Sequence, residues 1–115
     1  MRRGSEATEI VALVRQAIAA VGRPIAGLAA PAFKRGEAGL PKAAFTLGVE
    51  LLFVDDAALG AAQRHCVTHS AIAERAVGYA SVAEASALAA AGPRARLVLP
   101  RIRAGGLTCA MAEEA

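Results

Sequence analysis

The chain has 115 residues, 56% of them hydrophobic, and carries a formal net charge of +3 with an isoelectric point near 9.4. That length sets one domain (1–115) with one modest core, and the apolar content excludes a disordered chain. No apolar run reaches the about 20 residues that a membrane span needs, so no membrane partner is expected.

Ser5 is a good helix N-cap, with Glu6 and Glu9 in the first turns, where the helix dipole favours negative charge. Ile10, Val14, Ala17, Ile18 and Val21 then recur at helical spacing, with Val11 and Leu13 widening the stripe, until Gly22 and Pro24 stop it. "IAGLAA" (25–30), held between two prolines, reads as a buried strand, and "PAFKRGEAG" (31–39) as a loop. A second helix is predicted over 40–47, ended by Gly48, then a strand over 49–54 closed by Asp55-Asp56. Residues 57–62 suit one helical turn, and "QRHCVTH" (63–69) has no clear assignment. Ser70 can cap a short helix through Val77. Ser81 and Glu84 match the S-x-x-E capping box ahead of an alanine-rich helix that runs to Gly92-Pro93. Two strands, 96–100 and 107–112, flank the short "RAGG" link (103–106) and predict an antiparallel hairpin.

Helices and buried strands alternate first, and a hairpin follows. The order predicts an α/β domain of three layers, α/β/α, with a mostly parallel, mixed sheet and an antiparallel C-terminal hairpin strand. The first helix has no strand ahead of it, whereas a doubly wound sheet normally begins with one.

Basic residues concentrate in the predicted loops. "RRGS" (2–5) sets two guanidiniums beside the free N–H groups of a helix start, which is either an anion-binding mouth or a plain cap after a basic tail. In "FKRGE" (33–37), Lys34 and Arg35 can hold an anion while Glu37 can move a proton, although residue types alone favour a solvated loop. "RIRAGGLT" (101–108) reads first as an ordinary basic hairpin tip whose glycines serve the turn. Ser81 accounts for Glu84, whose role reads as structural rather than catalytic. His65 and His69 stand four apart with no acidic or cysteine companion, so no metal is expected there. Cys66 and Cys109 fit no metal spacing and read as reduced thiols. Glu6 and Glu9 break any signal-peptide core after the arginines, so a cytoplasmic protein is expected. Aromatic residues make up only 3% of the chain, which leaves no platform for stacking bases and sets nucleic acid behind a small polyanion as partner.

Four segments, "RRGS", "FKRGEAGL", "AVGYASVAEASALAAAG" and "LVLPRIRAGGLTCAMA", stand in an order found in one family. The chain resembles the C-terminal domain of the cobalamin-biosynthesis protein CbiG, a domain that also stands alone as CobE. The resemblance covers essentially the whole chain and is most specific in the V-G-x-x-S-V-A-E-A-x-A-L block (77–88) and the basic G-G-x-T-x-A hairpin. It implies a sheet sandwiched between helices. Longer members take part in opening a lactone ring on a cobalt-corrinoid intermediate with loss of a two-carbon fragment, using further N-terminal regions. The standalone form is described as binding or assisting corrinoid intermediates.

For this chain the resemblance implies a polycarboxylate corrinoid as ligand, other cobalamin-pathway enzymes as partners, and no cofactor of its own. The motif match puts Arg2, Arg3, Gly4 and Ser5 on the family's first basic loop. Lys34 and Glu37 fall on its second, and Arg101, Arg103, Gly105, Gly106 and Thr108 on its last. Corrin precursors carry many acetate and propionate groups, which suits such loops. An accessory, non-catalytic role is the first expectation. The alternative is a pathway enzyme with Lys34 and Glu37 as its polar catalytic groups.

Two departures from the family follow. Members usually carry a hydrophobic strand of the type V-x-G-x-G-C just before R-R-G, and the printed sequence has none there. Such a strand encoded upstream in frame would make Met1 internal; its absence predicts an exposed sheet edge that favours pairing between chains, as in a homodimer. The second loop is commonly D-x-K-x-x-E, and Ala32 stands here in place of the aspartate, which weakens acid–base work by that loop.

Overall fold

The computed structural model describes residues 7–67 and 81–114. Along the chain come α1 (Ala7–Val21), β1 (Gly27–Pro31), a 3-10 turn (Ala32–Lys34), α2 (Gly39–Leu47) and β2 (Glu50–Val54). Next are α3 (Asp56–Ala62), a second 3-10 turn (Gln63–His65), α4 (Val82–Ala91), β3 (Ala95–Ala104) and β4 (Leu107–Glu114).

The stops predicted from sequence are where backbone geometry demands them. Gly22 and Gly48 follow α1 and α2 with φ of 81° and 72°, a region that costs other residues a steric penalty. Gly105, at φ 59°, opens a two-residue turn in which Ala104 pairs with Leu107, so the hairpin is tight and antiparallel as expected. Asp55 does more than close β2: its Oδ1 accepts the Ala58 N–H at 2.8 Å and starts α3 one residue earlier than predicted. The helix expected from Ser70 to Val77 lies outside the described residues, as do Ser5 and His69.

β1 and β2 pair in parallel, Gly27 opposite Glu50 through Pro31 opposite Val54. β3 and β4 pair antiparallel from Ala95 opposite Glu114 to the turn. Successive side chains of a strand face opposite ways, and two core clusters result. On one face Leu28, Ala30, Leu51, Phe53, Leu107 and Cys109 pack with Ile10, Val11 and Val14 of α1 and Leu40 and Ala43 of α2. On the other, Ala29, Val54, Leu97 and Ala112 pack with Leu59 and Ala62 of α3 and Ala85 and Leu88 of α4.

The α/β class, with strands between two helical layers, is therefore as predicted. The strands form two separate pairs among the described residues, because β1 and β4 do not hydrogen-bond to each other. α4 packs against both of them, and α1 packs against β4 and β3, so the helices bridge the division.

Candidate functional site

A cavity of about 690 Å³ occupies the gap between β1 and β4. Its walls are apolar: Ile10, Leu13 and Val14 of α1 on one side, Ala83, Ala87 and Ala90 of α4 on the other. One contact joins the two strands at an end: Arg23, just ahead of β1, meets Glu113, near the end of β4, at 2.6 Å.

Residues of two predicted loops share the cavity lining. Lys34 and Glu37, which follow β1, and Gly106 and Thr108, which begin β4, all line the same cavity. Lys34 Nζ stands 3.6 Å from Glu37 Oε2, a half-exposed pair one helical turn apart. In water such a pair is worth little, about 0.2–1 kcal/mol, so both groups remain available to a ligand. Arg103 lies outside the lining but opposite Thr108 in register, and it is exposed. Arg35 is diverted: its guanidinium sits 5.3 Å from the Phe53 ring centre.

Arg2, Arg3, Gly4 and Ser5 lie outside the described residues. They precede α1 directly in sequence.

Glu84 holds the largest departure from the sequence reading. Ser81 Oγ does accept the Glu84 N–H at 3.3 Å, half of a capping box. The carboxylate does other work. Oε1 accepts the backbone N–H of Val67 at 2.9 Å and Oε2 that of Arg101 at 2.8 Å, and the residue is fully buried. A signal was present: "VAEASALAAA" is apolar on every side, a helix of that kind is buried all round, and its one acid must go in with it.

Burial pushes the Cys66 thiol up to about 11, helped by the charge of Glu84 nearby, and burial alone does the same to Cys109. Both cysteines are free. His65 lies on the exposed second 3-10 turn, and no group of three or more metal-ligating side chains occurs among the described residues. No helix among them is long and apolar enough to cross a membrane.

The family described as Cobalamin synthesis G C-terminus matches residues 1–112. The chain belongs to it. Two solved structures agree with this membership of the CbiG C-terminal family. The crystal structure of CobE, a protein from the cobalamin (vitamin B12) biosynthetic pathway, is 34% identical with a TM-score of 0.85, over 96% of this chain and 83% of that one. Cobalamin biosynthesis protein chiG from Agrobacterium tumefaciens is 39% identical with a TM-score of 0.79, over 99% of this chain and 93% of that one. No curated protein matches the chain. The CbiG C-terminal domain thus accounts for the whole fold described above, and this is a cobalamin-biosynthesis protein.

Proposed function

We propose that this protein binds a corrinoid intermediate of cobalamin biosynthesis through the ligand's peripheral carboxylates. One observation carries the reading: two segments some seventy positions apart, at Lys34–Glu37 and Gly106–Thr108, line one cavity. Arg103 stands opposite Thr108, which lines that cavity. Cations spread around a rim suit a disc-shaped ligand with carboxylates spread around its edge.

Titration with hydrogenobyrinic acid, followed by corrin absorbance, tests this. The expected result is a saturable spectral change that weakens as salt rises. Charge reversal by Lys34→Glu or Arg103→Glu should weaken binding about tenfold, the size of one charge-assisted contact. A folded protein that leaves the spectrum unchanged overturns the reading.

The Lys34–Glu37 pair on the cavity wall also favours a second reading, a pathway enzyme such as one opening a corrinoid lactone. Turnover of a cobalt-precorrin, abolished by Glu37→Gln, would establish it over simple binding.

A further inference from the structure

The antiparallel register of β3 and β4 breaks twice, first between Leu97 and Leu99 and again between Leu99 and Ile102. Leu99 stands opposite Met111, but the next pair is Ile102 opposite Cys109, three steps on one strand against two on the other. Pro100 and Arg101 have no partner in this register. Pro100 has no N–H to lose, so Arg101 carries the one amide N–H of this bulge, and Glu84 Oε2 accepts it at 2.8 Å. The other oxygen of the same carboxylate takes the Val67 N–H. α4 thereby holds two chain segments 34 positions apart with one buried side chain, whose own backbone is seated by Ser81.

A bulge shifts which residues face which way, and everything beyond it inherits the shift. Two residues past Arg101, the strand is back in register with Arg103 opposite Thr108 at the cavity rim. We propose that Glu84 is a positioning residue for the ligand rim: its carboxylate holds the Pro100-Arg101 bulge in the one arrangement that carries Arg103 to its station. This rests on the corrinoid-binding reading for its ligand, and on the geometry alone for the hold on β3. Glutamine in its place keeps the shape but turns an NH₂ donor toward one of the two amides, so one of them loses its acceptor.

Two measurements decide it. The first is amide hydrogen exchange in the wild-type protein, which needs no variant: Arg101 N–H should exchange as slowly as the ladder amides around it. Exchange at the rate of an exposed loop overturns the hold. The second is a double-mutant cycle on hydrogenobyrinic acid affinity with Glu84→Gln and Arg103→Ala. Glu84→Gln should cost about tenfold in affinity, and that cost should vanish in the Arg103→Ala background. Full affinity in folded Glu84→Gln, or additive losses, overturns positioning, since a purely structural role lowers the melting point without coupling to Arg103. A wild-type protein that binds no corrinoid sinks the ligand assignment instead, and the Arg101 exchange rate then decides the hold on β3 by itself.

Discussion

Arg23 and Glu113 meet at 2.6 Å across ninety positions of sequence, and Arg96 holds the other oxygen of the same carboxylate at 2.7 Å. The cluster ties the entry of β1 to the end of β4, two strands that share no ladder among the described residues. The Arg96 hydrogen bond first, and that of Arg23 second, hold the Glu113 carboxyl below its ordinary value of 4.5. A carboxyl depressed in the folded state stabilises it above the unfolded value, and that contribution disappears as pH falls through the folded one. Urea midpoints of wild type and Glu113→Gln should therefore differ most at neutral pH and converge in acid. Equal midpoints at neutral pH would mean that the cluster is decorative.

β1 and β4 both line the cavity, and each is paired on only one edge among the described residues. Unpaired edges leave backbone donors and acceptors without partners. An apolar strand of five or six residues fused ahead of Met1 should enter between them. The expected signs are a higher melting temperature and new exchange protection on both edges. Protection on neither would show that the edges are satisfied in another way.

Ser86 lies on α4, buried, and its Oγ has no hydrogen-bond partner among the described residues. A lone buried hydroxyl costs free energy without return, and alanine is the better helix former. Ser86→Ala should raise stability by about 1 kcal/mol, read as a melting-point gain of a few degrees. A loss would point to a partner for this hydroxyl.

Lys34 and Glu37 separate the binding and enzymatic readings by sign. Their exposed contact is weak, so Lys34→Ala and Glu37→Gln should each change stability by less than about 0.5 kcal/mol. For an anionic ligand, Lys34→Ala should weaken corrinoid binding and Glu37→Gln should strengthen it. An enzyme using both groups would instead lose turnover in both variants.

Both thiols are held near 11, so little thiolate exists at neutral pH. A disulfide reagent should label native protein slowly and release two equivalents at once on denaturation. Because these values are raised, the associated stability is complete below the ordinary value of 9.0 and declines as pH climbs toward 11. Rapid labelling of Cys66 in native protein would contradict its burial.

Much of the fold was legible because its signals are local. Ser81 acts on Glu84 three residues away, Asp55 on Ala58 likewise, and Gly22, Gly48 and Gly105 act where they stand. The family resemblance was also carried by short blocks, and Lys34, Glu37, Gly106 and Thr108, which it put on the family's basic loops, line one cavity. The same local reading had Glu84 beside Ser81 in a structural role, as found, but missed that its carboxylate serves amides 17 positions away on either side. It also passed over Arg23 and Glu113, two ordinary surface charges until their strands are laid side by side.

The sequence alone determined the helix and strand order, the turns, the hairpin and the family, since each depends on contacts within a few residues or on short motifs. Tertiary structure decided that the described strands form two pairs, that a cavity is lined by both, and that Glu84 grips β3. Those depend on which distant backbone groups are left without a ladder partner, and only the packed chain sets that.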